Sequence, residues 1–191
     1  MKYFTPQLFV RLQNIRDDTA IQAWDRAVSD YSAALAEALP RFPKNLQHIV
    51  KKVALHDADV RSMAQLGNVL SITVQTDPPG PELYILSYTL TEPPRINRSA
   101  LPREHCTDHA TWLYDEFLLA EPSTGLPNSL KRTNRDGGAA GVGVYTHDIL
   151  LSNGWEVSLK FRKFKFSHPI ALLPASCMEG EDREAALTRS A

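Results

Sequence analysis

Two His-Asp dipeptides are the residues in this chain most suited to chemistry. His56-Asp57 and His147-Asp148 each stand at the start of an apolar segment with a strand-like pattern. Histidine and aspartate are the usual residues for proton transfer and for metal ligation. If the two segments are neighbouring strands, their polar groups could converge. His56 and His147 are therefore candidates for a shared metal ion or a general base, with two structural histidines as the simpler interpretation.

A second group of metal-ligand residue types lies between the two dipeptides. His105 and His109 fall on one side of the chain at helix spacing and also at strand spacing. Cys106 or Asp108 could supply a further ligand. A zinc site normally draws a second pair of ligands from elsewhere, and the chain has no CxxC or HExxH motif. His105 and His109 remain metal candidates, and a polar loop is the alternative.

The first part of the chain has helical periodicity. From Asp18 to Leu39, apolar residues recur at spacings of three and four, which predicts one buried face of an α-helix. A shorter helix is predicted from Pro43 to Ala54, and the short link makes the two helices neighbours. The predicted buried face of the longer helix consists of Ile21, Trp24, Val28, Tyr31, Leu35 and Leu39.

After Ala54 the apolar period changes from helical to two, which predicts strands. Residues 111–119 also fit a strand, with a helix as the alternative. Residues 121–142, which are rich in glycine and polar residues, are expected to form a long loop, and residues 175–191 a flexible tail. The predicted strands are 60–65, 69–76, 83–91, 144–151 and 155–161.

The last predicted hairpin determines where His147 points. A two-residue Asn153-Gly154 turn and a three-residue loop ending at Gly154 differ by one residue in pairing. Such a slip moves every side chain across the sheet, so the hydrophobic pattern decides the register. The three-residue form, with Gly154 left-handed, places the apolar residues on one face together with His147. Asp148 then points the opposite way, towards Lys160 and Arg162.

The other carboxylates also alternate between the two faces of an extended segment. His56 and Asp57 are expected to face opposite ways in an extended segment and could act together only if the backbone bends there. Adjacent Asp115 and Glu116 are likewise expected to diverge, so the spacing does not support paired acid–base catalysis.

Helices followed by strands indicate an α+β fold. We expect an N-terminal helical pair packed on a mostly antiparallel β-sheet of about five or six strands. A single domain is expected over residues 1–174, with a helical part at about 18–54 and a β part at about 58–166.

Composition narrows the function classes. The formal net charge of −1 gives no overall field that would attract nucleic acid, so a nucleic-acid partner is not expected. Two cysteines far apart in the sequence do not form a disulfide framework and suggest a reducing compartment. No apolar run approaches the ~18 residues of a membrane span, and the N-terminus lacks a signal-peptide core. These features predict a cytoplasmic protein without a membrane segment.

Four short stretches carry recognisable motifs: residues 1–9, 55–60, 112–116 and 147–154. Together they resemble a bacterial protein family of unknown function with an MKYFT-type start and an LHDA-type motif. The resemblance implies a small α+β protein of bacterial origin and brings no activity, cofactor or catalytic residue. Short His-Asp openings of this kind are also similar to some immunity-type proteins, which act by binding a toxin.

The sequence favours a non-catalytic cytosolic binding or protein-interaction protein, with a protein partner and no cofactor. No coherent catalytic set follows from the predicted geometry. The alternative is a metal-dependent hydrolase or metal-binding module that uses His56 and His147, with a divalent metal such as zinc.

Overall fold

A computed structural model describes residues 1–14, 16–76, 82–120 and 143–168. Three α-helices come first: α1 (Pro6–Leu12), α2 (Asp18–Ala38) and α3 (Lys44–Lys52). Asp17 caps α2 by accepting the Ala20 N–H, and a 3₁₀ turn at Leu39–Arg41 links α2 to α3. Among all the described residues, no helix is long and apolar enough to cross a membrane.

Within the described ranges, seven strands follow and form one antiparallel sheet. Their order is β1-β2-β3-β7-β6-β5, and β4 pairs with β7 beside the end of β3. The α+β class is therefore confirmed. The strands are β1 (Asp59–Leu66), β2 (Val69–Gln75), β3 (Leu83–Leu90), β4 (Arg95–Asn97), β5 (Trp112–Leu119), β6 (Tyr145–Leu151) and β7 (Glu156–Ser167).

The β6–β7 hairpin has the three-residue register that the apolar pattern predicts. Ile149 pairs with Val157, and the Leu151 N–H donates to the Trp155 carbonyl. Gly154 has φ +84°, the left-handed conformation that closes such a loop. His147 consequently points to the apolar face, where its side chain is fully buried.

The sheet curls until its two outer strands meet at their starts. Asp59 of β1 forms a bridge with Thr111, just before β5, and the Val60 N–H donates to the Ala110 carbonyl. A β-bulge at Arg61 follows this junction in β1. We call the concave side of this half-barrel the inner face and the convex side the outer face.

The inner face carries the main core. Leu46 and Ile49 of α3 belong to one buried apolar cluster with residues of β2, β3, β5, β6 and β7, among them Ile72, Leu86 and Phe161. Helix α2 lies along the free edge of β5, where the Tyr31 hydroxyl accepts the Phe117 N–H at 2.9 Å. Helices α2 and α3 thus flank the inner surface of β5, next to His147 of the neighbouring strand β6.

The structure corrects several of the predicted elements. Helix α1 and the short strand β4 were not predicted, so the helical part is three helices and not a pair. Strand β7 continues to Ser167, beyond the predicted end at residue 161. The helical face of α2 is less buried than predicted, because Ile21 and Val28 are 46% and 39% exposed. The predicted loop 121–142 and tail 175–191 lie outside the described residues.

Candidate functional site

His147 forms the centre of a buried polar chain. Its Nδ1 lies 3.0 Å from the Tyr88 hydroxyl, and its Nε2 lies 3.0 Å from Oδ2 of Asp115. The Phe117 ring stacks on the imidazole with 3.6 Å between the ring centroids. Neither Tyr88 nor His147 has any solvent-exposed surface. The chain therefore runs from deep in the core, at Tyr88, to the inner face of β5, at Asp115.

The hydrogen-bond partners determine the protonation of His147. Among the described residues, the Tyr88 hydroxyl has one hydrogen-bond partner, which is Nδ1 of His147. A buried hydroxyl that does not donate leaves its proton unsatisfied, which is costly. Tyr88 therefore donates to a bare Nδ1, and Nε2–H donates to Asp115. The network assigns His147 as the neutral imidazole with its proton on Nε2.

Asp115 is held by two donors. The indole Nε1–H of Trp112 donates to Oδ1 at 3.1 Å, while His147 occupies Oδ2. A β-bulge between Trp112 and Tyr114 brings Trp112 onto the same face as Asp115. The carboxylate is fixed in one orientation, and its side chain is 23% exposed.

Burial and the nearby charge act on two tyrosines. Burial, with a further contribution from the Asp115 carboxylate, raises the pKa of Tyr88 well above its usual value of 10. The same two causes, burial first, raise the pKa of Tyr31. Both phenols are neutral hydrogen-bonding groups near pH 7.

A cavity of about 160 Å³ adjoins the exposed side of Asp115. Helices α2 and α3 form two of its walls and β5 forms the third. Apart from Asp115 and the phenol ring of Tyr31, its walls are apolar side chains: Leu35, Ile49, Val50, Val53, Leu55 and Phe117. The polar chain thus ends at a small, partly open cavity between the two helices and β5.

The second dipeptide lies in a turn and not in a strand, which corrects the sequence prediction. The Ala58 N–H donates to the Leu55 carbonyl, so residues 55–58 form a tight turn before β1. Asp57 has φ +66°, the pattern of a type II turn. This bend brings Nδ1 of His56 within 2.8 Å of Oδ2 of Asp57, whereas an extended backbone would have separated them.

The turn also helps to close the half-barrel. The Asp57 N–H donates to the Trp112 carbonyl, and the Trp112 N–H donates to the Ala58 carbonyl. The positive φ of Asp57 is therefore part of the junction between β1 and β5. The His56 side chain is 53% exposed and lies edge-on to the ring of Tyr114.

His56 and His147 have separate surroundings. His56 contacts Tyr114, which belongs to the outer face of β5, while His147 contacts Phe117 on the inner face. Strands β1 and β6 are not neighbours in the sheet. Both nitrogens of His147 are already hydrogen-bonded, so a metal ion would have to displace Tyr88 or Asp115.

The other two histidine candidates lie near the surface. His105 ends a 3₁₀ turn and is half-buried, and His109 is exposed. The backbone carbonyl of His109 accepts hydrogen bonds from Thr107 and Ser152, which tie this loop to the β6–β7 hairpin. Over the ranges that the structure describes, no three His, Cys, Asp or Glu side chains are grouped so that they could hold a metal ion.

Asp115 and Glu116 diverge, as their adjacent positions on a strand predict. Glu116 points to the outer face and is fully buried. Its carboxylate accepts the backbone N–H groups of Lys2, Tyr3 and Phe4 at 2.6–2.8 Å. These three hydrogen bonds hold the N-terminal segment against the outer face of the sheet.

Sequence reasoning missed Tyr88 and Asp115 as partners of His147. Parity along β5 carried a usable signal, because Asp115 alternates with Phe117 and Leu119 and thus falls on an apolar face. The bulge before Tyr114 concealed the relation between Asp115 and Trp112. Tyr88 alternates with Leu86 and Leu90 in the same way, but nothing in the sequence pairs β3 with β7.

No family model, curated protein or solved structure matches this chain significantly. The fold and the site together define an α+β protein with a curled antiparallel sheet and a histidine sealed in its core. The imidazole of His147 is out of reach of a substrate, because it has no exposed surface. Asp115 is the one member of the buried chain that a ligand could touch.

Proposed function

We propose that this protein is a non-catalytic cytosolic protein-binding protein, and that its partner adds an extended strand to the free edge of β1. The proposal rests on one observation: the five residues 62–66 of this edge strand carry neither a charge nor a proline. Natural proteins usually blunt exposed strand edges with such residues, because an unguarded edge pairs with other chains.

The register identifies the backbone groups available to a partner. The two-residue turn between Leu66 and Val69 makes these residues a hydrogen-bonded pair, and such pairs alternate along an antiparallel ladder. Ala64 therefore bonds to β2, whereas Met63 and Gln65 direct their N–H and C=O groups away from β2. Among the described residues, no strand lies beside this part of β1.

Apolar side chains at the hairpin tip would add side-chain contacts to such pairing. Leu66 is 87% exposed and Val69 is 38% exposed. Main-chain hydrogen bonds supply affinity in strand addition, while neighbouring side chains select the partner. An extended partner segment with an apolar residue opposite Leu66 fits this surface.

The metal-dependent alternative has weaker support. His147 is sealed in the core, and Nδ1 of His56 lies 2.8 Å from Oδ2 of Asp57 on the other side of β5. Neither histidine contributes to a set of ligands within the described ranges.

The first experiment identifies the partner. A photo-crosslinking amino acid is placed at Leu66, and in a control protein at Val28, which is an exposed apolar residue of α2. We expect one protein to be cross-linked in cells from position 66 and not from position 28. Equal cross-linking from both positions, or none from position 66, would overturn the proposal.

The second experiment measures binding of that purified partner. Gln65→Pro removes the outward N–H, while the matched control Gln65→Ala removes the same side chain, including its hydrogen bond to the Gly67 carbonyl, and keeps the N–H. We expect Gln65→Pro to weaken binding about tenfold or more and Gln65→Ala to change it less than about threefold. Equal effects of the two substitutions would contradict strand addition.

A further inference from the structure

The cavity beside Asp115 combines an ionisable group with apolar walls. The Asp115 carboxylate faces six apolar side chains from α2, α3, the 55–58 turn and β5. A charge beside apolar walls is unfavourable unless it is paired. Which ligand fits therefore depends on whether a positive charge already lies beside Asp115.

Within the described ranges, Asp115 has hydrogen-bond donors but no positive charge beside it. Trp112 is a neutral donor, and the Tyr88 hydrogen bond keeps His147 in its neutral form. The ion-pair partner within 4.0 Å of Asp115 is that same histidine. On the side that faces the cavity, the carboxylate therefore has no cationic partner among the described residues.

The size of the cavity limits the ligand. Its volume of about 160 Å³ corresponds to roughly five water-sized volumes at ~30 Å³ each. This space suits a cationic head with about four or five aliphatic carbons. Tyr31 adds a polar group to the lining, because its hydroxyl oxygen accepts the Phe117 N–H and its own proton has no acceptor among the described residues.

We propose that this cavity binds an alkylammonium group, whose N–H donors bond to Asp115 and whose short aliphatic chain packs between α2 and α3. A primary ammonium can place one N–H on the carboxylate while the others reach Tyr31 or water. The group could belong to a free aliphatic amine or to a lysine side chain of another molecule, since both offer the same chemistry.

The test titrates the full-length protein with three probes and follows its amide spectra by NMR. The probes are 3-methylbutylamine, the uncharged analogue 3-methylbutanol, and Nα-acetyl-lysine methyl ester. The proposal predicts shifts of the Asp115, Phe117 and Tyr31 amides, and amine binding about tenfold or more tighter than alcohol binding. Tighter binding of the free amine identifies a small-molecule site, and tighter binding of the lysine ester identifies a lysine side chain.

Two variants separate the site from a general effect on the protein. Asp115→Asn removes the charge, and Val50→Phe reduces the cavity volume while residue 115 stays an aspartate. Asp148→Asn is the matched control, because Asp148 faces the opposite side of β6 from His147. Binding of the amine should be lost in Val50→Phe and in folded Asp115→Asn, and kept in Asp148→Asn.

Three results would overturn the proposal: no shifts with either amine, equal affinity for amine and alcohol, or unchanged amine binding in Val50→Phe. If Asp115→Asn does not fold, the comparison between Val50→Phe and Asp148→Asn still decides. The outcome is independent of the strand-addition proposal, because β1 contributes no residue to the walls of this cavity.

Discussion

The same His-Asp dipeptide has two different roles in this molecule. His147-Asp148 lies within a strand, so its side chains point to opposite faces, and the imidazole is buried between Tyr88 and Asp115. His56-Asp57 lies in a turn, so its side chains meet at 2.8 Å, and the imidazole is more than half exposed. The backbone conformation, and not the residue pair, therefore decides whether the two groups can act together.

Because their surroundings differ, we expect His147 and His56 to contribute differently to the free energy of unfolding. His147 uses both nitrogens, has no exposed surface and packs against Phe117. His56 has one close carboxylate neighbour, Asp57, and one aromatic contact at the surface. Buried groups whose removal leaves polar partners unsatisfied affect stability most.

The largest expected effect comes from removing the two imidazoles in turn. His147→Ala creates a cavity and strands both Tyr88 and Asp115, so we expect the free energy of unfolding to fall by about 3–5 kcal/mol. His56→Ala should change it by no more than about 0.5 kcal/mol. Urea denaturation measures both values.

A volume-conserving variant isolates the hydrogen bonds. His147→Phe fills most of the same space and leaves the Tyr88 hydroxyl and the Asp115 carboxylate without their partner. We expect it to be clearly less stable than the parent protein. Equal stability of His147→Phe and the parent, or equal losses in His147→Ala and His56→Ala, would refute the assigned roles.

The second effect concerns the inner end of the polar chain. Tyr88→Phe leaves Nδ1 of His147 without a donor, and we expect a loss of about 1–3 kcal/mol in the free energy of unfolding. Tyr84→Phe is the control, because the Tyr84 hydroxyl donates to Glu82 at the end of the strand and not in the core. The two variants should differ clearly in denaturant midpoint; if they do not, the buried hydrogen bond is not a major stabilising contact.

The third effect appears at alkaline pH. The pKa of Tyr88 is raised by burial, so above pH 10 the unfolded chain loses a phenolic proton that the folded protein retains. Stability is therefore fully present below pH 10 and falls as the pH rises further, by about 1.4 kcal/mol per pH unit for each such tyrosine. Tyr31 contributes in the same direction, because its pKa is also raised.

Denaturation curves between pH 9 and 11.5 measure this slope. Tyr88→Phe should reduce the slope, while His56→Ala should leave it unchanged. A slope that is the same in Tyr88→Phe and in the parent would mean that Tyr88 ionises as readily in the folded protein as in the unfolded chain.

The smallest expected effect compares the two aspartates. Asp57 has a positive φ, where a β-branched residue is strained, so Asp57→Val should cost about 1 kcal/mol. Asp148 lies in a β-strand, where valine is favourable, although the change removes a carboxylate 3.8 Å from the Met1 amine. Thermal melts should place Asp57→Val below Asp148→Val, and the reverse order would contradict the conformational account.

Local patterns predicted the register but not the partners. The alternation of apolar residues around Gly154 was enough to place His147 inside, because a slip would have exposed a whole hydrophobic face. The turn at His56 was missed because its positive φ falls on an aspartate, where the sequence has no glycine to indicate it. The contact between β1 and β5 depends on the curl of the whole sheet, which short-range patterns do not encode.

The candidate site was predicted only in part for the same reason. His147 could be placed on the inner face, but Tyr88 and Asp115 come from β3 and β5, and the sequence does not show that these strands flank it. The cavity depends further on how α2 and α3 lie against β5. The periodicity of apolar residues does not predict such long-range packing.

The most direct test of this account is the tautomer of His147 in solution. A long-range ¹H–¹⁵N spectrum near pH 7, with His147 assigned by comparison with His147→Phe, distinguishes the two ring nitrogens. The account predicts a protonated Nε2 and a bare Nδ1, since Tyr88 donates to Nδ1 and Nε2–H donates to Asp115. A proton on Nδ1, or a proton on both nitrogens, would contradict the assigned hydrogen-bond directions and the neutral imidazole of His147.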